Sequence, residues 1–453
     1  DLFILGEGEE VNLELMDLYH RMRREGATRQ AFLREAAKLE GIYVPSLYDV
    51  TYNPDGTIRA VTPKDSAPAT VKKRIIRDFD KVYYPENFVV PFTEIVHDRV
   101  SVEVLRGCIR GCRFCQAGFL YRPFREKSEE TVYRECRALC EHTGYDEVSL
   151  SSLSTSDHSR LDPMLRKLLT YTEAERINLS LPSLRADNFS MELMEKLQKV
   201  RKSGLTFAVE GGSQRLRDAI NKNVTEEDLL HTCAIAFAGG WNNVKLYYML
   251  GLPTETDEDI VGIAEMANQV LHCWRQNATN KNRGVKITIS TSCFIPKPHS
   301  PFQWEAQISK EEYLRRVELL RSSIIARNVT YNWHDAETSV IEAALSRGDR
   351  KLSAVIEEVW KNGGRLEAWS DYFSYQRWVD AFAKCGLDID FYASRERGEE
   401  ELLPWDMIDV GVRKAHLLHE RQQCYASALS PDCRKQCSAC GAARLLKGGK
   451  CDG

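Results

Sequence analysis

From residue 100 to about residue 298, short apolar runs rich in β-formers alternate with amphipathic helical stretches, and this rhythm constrains the fold most. The runs are VSVEVLRG, EVSLSSL, RINLSLPSLR, LTFAVEGG, NVKLYYMLGLP and GVKITISTSCFIPKP. Between them lie stretches such as EETVYRECRALCEH, SMELMEKLQKVRKSG and EDIVGIAEMANQVLHCW, whose apolar positions recur at helical spacing. Parallel strands need crossover connections, and helices of this length supply them. The expected fold class is α/β, a partial (β/α) barrel of about six parallel strands. Such an architecture places its site at the C-terminal ends of the strands.

A chain of 453 residues exceeds one ordinary core, so the barrel has companions. Residues 98–310 read as the barrel, 26–97 as a connector, 311–423 as a helical region and 424–453 as a cysteine-rich tail. In the connector, Asn-Pro-Asp-Gly carries hairpin turn chemistry, and the proline-punctuated run after it reads as a wrap. The charged SRERGEEEL reads as a solvated loop. Residues 1–25 open on an apolar strand with no neighbour in sight, then pass through Gly-Glu-Gly-Glu into a helix. They read as the end of a domain lying before Asp1. The formal charge of −4 makes no global case for nucleic acid or membrane. No run approaches the ~20 apolar residues of a membrane helix, no signal peptide is visible, and a cytoplasmic protein is expected. Fourteen cysteines then point to metal ligands or reduced thiols, not to disulfides.

Three of those cysteines, Cys108, Cys112 and Cys115, stand in RGCIRGCRFCQAGF directly after the first strand. Structural zinc wants four ligands, commonly in CxxC pairs. Three thiolates at CxxxCxxC with no local fourth suit three irons of a cubane and leave the fourth iron open. Gly107, Gly111 and Gly118 let the backbone wrap the cluster, and Arg106, Arg110 and Arg113 would offset its negative charge. The tail repeats the spacing as Cys433-xxx-Cys437-xx-Cys440, with Cys424 or Cys451 as a fourth ligand for a second iron–sulfur cluster or a zinc ion.

The CxxxCxxC motif, with Phe114 before its last cysteine, resembles that of the radical S-adenosylmethionine (radical SAM) enzymes. The resemblance implies a 4Fe-4S cluster whose open iron chelates S-adenosylmethionine, an electron donor, and reductive cleavage to methionine and a 5′-deoxyadenosyl radical. It implies cofactor contacts from Ser152, Ser154 and Ser156 after the second strand, and from Ser183 and Arg185 after the third. Glu210 would meet the ribose after the fourth strand, and Tyr248 and Leu250 the adenine on the fifth. EGGSQRLRDAINKNVT, YYMLGLPTETDED and FIPKPHSPFQW further resemble an uncharacterised bacterial group with a cobalamin-binding domain ahead of the barrel. LFILGEGEEV resembles the close of that domain, which makes cobalamin a further expected cofactor.

Three functions follow. The first is a cobalamin-assisted radical SAM methyltransferase, its substrate unknown, with RNA or protein favoured. The second is a radical SAM sulfur or methylthio transferase without corrinoid. The third is a non-catalytic iron–sulfur protein. For an RNA substrate, Lys297, His299, Phe302 and Trp304 read as a cationic, stacking surface at the barrel mouth. Asp406, Asp409 and Glu420 read chiefly as capping residues.

Overall fold

A computed structural model of the chain describes residues 1–181, 205–282, 284–446 and 451. Two parallel sheets carry the centre of the molecule. In the first, β1 (Val100–Glu103), β2 (Glu147–Ser151) and β3 (Asn178–Ser180) lie in the order β3-β2-β1. In the second, β4 (Leu205–Glu210), β5 (Asn243–Leu250), β6 (Lys286–Cys293) and β7 (Val329–Trp333) lie in chain order. Among the described residues the two sheets stay separate and no closed barrel forms. All six expected strands form. The seventh, VTYNW, went unread because only Val329 and Tyr331 pack on the core and no turn signal follows it.

Side chains alternate across a strand, and this chain uses the alternation cleanly. On β5, Val244, Leu246, Tyr248 and Leu250 are buried against helices Glu226–Ala238 and Asp257–Asn277. Lys245, Tyr247 and Met249 occupy the opposite face and keep access to solvent. The same parity gives Thr206 and Ala208 on β4 and Thr288, Ser290 and Ser292 on β6. The concave face is therefore mostly polar, and the outer face is the apolar core. Tyr248 and Leu250 belong to that core, so they cannot contact adenine from the mouth, which corrects the sequence reading.

The opening strand has a neighbour inside the chain. Phe3–Ile4 pairs antiparallel with Ile42–Tyr43, and helix Val11–Arg24 buries Val11, Leu15, Leu18 and Met22 against Leu33, Ala36 and Val44. The hairpin forms as its turn residues dictate, Tyr48–Tyr52 against Ile58–Pro63. The wrap after it is no mere linker. Val71–Lys72 pairs in parallel with Ile408–Asp409, and Val71, Ile75, Ile76 and Phe79 are buried.

Helices Ala336–Ser346, Leu352–Lys361, Tyr375–Lys384 and Ile389–Ala393 enclose a core of their own that includes Val340, Val355, Trp378 and Phe382 and takes in Ile295. SRERGEEEL is not a solvated loop. Arg395 forks onto Glu401 at 2.7 Å through both nitrogens, and Arg397 is buried over the Trp405 ring. Helix Lys414–Tyr425 then leads the chain back to the strand ends. No described helix is long and apolar enough to cross a membrane.

Candidate functional site

The cysteine loop leaves the first sheet just past β1. Gly107 takes φ +89°, and a Cβ there would stand 2.8 Å from the Tyr121 carbonyl oxygen, so only glycine fits the turn into Cys108. The Cys115 N–H then donates to the Cys112 carbonyl at 3.0 Å. Backbone N–H groups of Arg110 and Gly118 point at the Cys108 and Cys115 sulfurs, each at 3.4 Å. Sulfurs that accept backbone donors are set up to carry negative charge.

Burial works against that charge. It pushes the Cys108 thiol up to about 12, with neighbouring Cys112 adding to it, and raises Cys115 as well. The arginines expected to offset the charge are committed elsewhere, which corrects the sequence reading. Arg106 pairs with Glu103 at 2.6 Å and Glu9 at 2.8 Å. Arg110 forks onto Asp157 at 3.0 and 2.5 Å. Arg113, wholly buried, pairs with Glu420 at 3.1 Å. Thiolates in this loop therefore need cations among them, and three thiols in one short loop are the donors that iron–sulfur ligation uses.

The rest of the mouth is built around the loop. Ser154 donates to Asp157 at 2.8 Å, so the serine segment holds the carboxylate that clamps Arg110. Ser152 meets Thr155 at 2.8 Å, and Ser156 is buried. This segment reaches the cysteine loop, but through Asp157, which sequence reasoning missed; an aspartate among serines gives no periodic signal. Glu210 ends β4 in the left-handed region, φ +71°, beside a register shift in the β4–β5 pairing. A non-glycine residue held there marks a site more often than chance. Glu210 pairs with Lys222 at 3.3 Å, and the Lys222 ammonium lies 5.9 Å from the Phe114 ring centre. Both Glu210 and Lys222 bear on Cys115. Asn221, also missed, donates to the Gly111 carbonyl at 3.1 Å. Ser183 and Arg185 lie outside the described residues.

The loop after β6 packs down instead of facing outward. Phe302 and Trp304 are wholly buried in two separate clusters, and Lys297 pairs with Glu342 at 2.7 Å. Gln116 of the cysteine loop donates to the Pro298 carbonyl at 3.1 Å. No stacking surface exists there, so the physical basis for an RNA-binding loop is removed. Among the C-terminal acids, Asp406 accepts from the Leu403 N–H at 2.8 Å and Asp409 from the Gly411 N–H at 2.8 Å. These two cap turns as expected, whereas Glu420 sits under the cysteine loop.

Comparison with known proteins agrees with this geometry. The family described as the radical SAM superfamily matches residues 102–267, and one described as radical SAM proteins, N-terminal, matches residues 1–45. An uncharacterized protein of Methanocaldococcus jannaschii is 27% identical over 68% of this chain and 64% of its own length. A tRNA-2-methylthio-N(6)-dimethylallyladenosine synthase of Solibacter usitatus is 22% identical over 54% of each chain. The chain thus spans less than two thirds of either relative. Among solved structures, the radical S-adenosylmethionine methyltransferase TsrM of Kitasatospora setae, with cobalamin and a [4Fe-4S] cluster bound, aligns at TM-score 0.45 and 15% identity over 67% of this chain and 55% of that one. That matched span holds the cysteine loop and strands β2 to β5, so over residues 102–267 the chain is similar to the radical SAM superfamily.

Proposed function

We propose that this protein is a group-transferring radical SAM enzyme that uses Cys108, Cys112 and Cys115 to attach a methyl or methylthio group to an unactivated carbon. The observation that carries the reading is the three-thiol loop just past β1, its cysteines half-buried and two of their sulfurs faced by backbone N–H groups. A cluster bound there with S-adenosylmethionine supplies reductive cleavage of the cofactor to methionine and a 5′-deoxyadenosyl radical. The chain's own residues do the rest. Arg110–Asp157 and Arg113–Glu420 fix the loop from two sides. Glu210 offers a carboxylate to ribose hydroxyls once Lys222 shares it. The concave row of Thr206, Thr288, Ser290 and Ser292 offers hydroxyls to a polar substrate.

Two forms of the reaction remain in view. Cobalamin-assisted methyl transfer rests on the likeness of the opening segment to the end of a corrinoid domain. Methylthio transfer is favoured by the methylthio synthase among the relatives. A protein or RNA substrate and a cytoplasmic location belong to the same proposal. Anaerobic reconstitution followed by reduction with S-adenosylmethionine tests the core of it. Deoxyadenosine should appear, and Cys→Ala at any of Cys108, Cys112 or Cys115 should lower its rate at least a thousandfold. Unchanged release from the triple variant would refute the proposal. Corrinoid retained by the purified protein selects the first form.

A further inference from the structure

Two residues of the cysteine loop face sulfur with their backbone N–H groups, Arg110 toward Cys108 and Gly118 toward Cys115, each at 3.4 Å. One side chain holds both of them. The Arg122 guanidinium donates through Nε to the Gly118 carbonyl at 3.0 Å and through Nη2 to the Arg110 carbonyl at 3.2 Å. Its Cζ lies 4.7 Å from the Phe119 ring centre, and its Nη1 is 3.5 Å from Nε2 of His416. The buried Lys73 side chain donates to the Leu120 and Arg122 carbonyls, which fixes the backbone from which Arg122 reaches back. The tail comes in against the same stretch. The Cys433 N–H donates to the Ile109 carbonyl at 3.0 Å, and Cys440 is buried in one cluster with Phe119. Cys424 packs elsewhere, with Leu216 and Phe294, and Cys437 and Cys451 are exposed.

Arg122 is 4% exposed, and among the described residues no carboxylate pairs with it. Its partners are two carbonyls and an imidazole. Burial, aided by the guanidinium, pulls His416 down to about 4, so that ring is neutral and adds no counter-charge. Arg106, Arg110 and Arg113 differ, because each has a carboxylate within 3.1 Å. A buried guanidinium without a counter-ion is costly. An anionic group in the loop that it braces removes that cost.

We propose that Arg122 is a positioning residue that sets the reduction potential of an iron–sulfur cluster held by Cys108, Cys112 and Cys115. The inference rests on the reading of those three cysteines as cluster ligands. Two effects act in the same direction. A buried cation stabilises the negative charge that a one-electron donor adds, because the surroundings screen it poorly. The fork onto Arg110 and Gly118 also fixes two N–H groups against ligand sulfurs, and hydrogen bonds to sulfur favour the reduced form. The stronger these effects, the weaker the electron donor that suffices.

A redox titration of the full chain tests the inference. Protein reconstituted anaerobically, without S-adenosylmethionine, is poised at stepped potentials and the reduced cluster is read by electron paramagnetic resonance. With iron and sulfide retained, Arg122→Gln should lower the ratio of reduced to oxidised cluster at a fixed potential about tenfold. That is a shift of about 59 mV to lower potential for one electron. Arg122→Lys, which keeps the charge, should fall between Arg122→Gln and wild type. Arg137→Gln removes an exposed arginine from the helix Glu129–Thr143 and should leave the potential as it is. A wild-type potential in Arg122→Gln overturns the inference, and so does an equal shift in Arg137→Gln. Loss of iron from both Arg122 variants overturns it too, because Arg122 then serves the fold alone. Wild-type protein that takes up no iron refutes the cysteine reading and the inference with it, whereas an unchanged potential refutes the inference alone.

Discussion

His299 shows how burial turns a single side chain into a pH sensor. Its backbone is left-handed, φ +57°, held by an N–H donated to Gln303 at 2.9 Å. Burial, helped by the nearby Lys73 ammonium and opposed by Asp409, pulls the imidazole down to about 4. The folded state therefore resists protonation while the unfolded chain accepts it near pH 6.5. The stabilising effect is fully present above pH 6.5 and is lost as pH falls toward 4. Across that window wild-type stability should drop by about 3 kcal/mol more than that of His299→Gln, by urea denaturation at stepped pH. Parallel curves for the two proteins would show that His299 is solvated. At this scale the sequence revealed residue types but not partners. The cysteine triplet was legible because ligand spacing is local. That Arg110 and Arg113 are spoken for by Asp157 and Glu420 depends on contacts between remote segments.

The elements were legible where period and turn chemistry agree. Six parallel strands and the Asn-Pro-Asp-Gly hairpin stand as read, because alternation and turn residues are written within a few positions. What failed was the face. Tyr248 and Leu250 are on the right strand, but which of two faces meets the helices is fixed only when the helices pack. The link from β4 into its following helix carries the sharpest packing constraint on this side of the mouth. A Cβ on Gly212 would stand 1.9 Å from the Asp259 carbonyl oxygen and 2.7 Å from Ile263. Asp259 in turn accepts from Thr256 at 2.8 Å within the capping box of helix Asp257–Asn277. Gly212→Ala must push that helix off the strand end that presents Glu210. It should cost about 1–3 kcal/mol by overpacking, read as a lower urea midpoint with unchanged slope. An unchanged midpoint would mean the approach is looser than this.

On the scale of the whole molecule, one buried ion pair ties the cysteine loop to chain segments hundreds of residues away. Arg113 reaches Glu420 at 3.1 Å, the Ala219 carbonyl at 2.6 Å, the Ala428 carbonyl at 2.7 Å and Ser430 at 3.1 Å. Glu420 also accepts from Ser430 at 2.9 Å, so the helix Lys414–Tyr425, the start of the tail and the helix Gln214–Ala219 after β4 meet at one guanidinium. Removing either partner leaves the other charge buried, and a half-broken pair costs about 3–5 kcal/mol where replacing the whole pair costs little. Arg113→Met should therefore destabilise strongly, Glu420→Gln should do the same, and the double variant should recover about 1–3 kcal/mol of the summed loss. Iron retention should follow stability, because Arg113 holds the loop between Cys112 and Phe114, its backbone N–H also donating to the Ile220 carbonyl at 3.0 Å. Losses that simply add in the double variant would show that the two charges act independently.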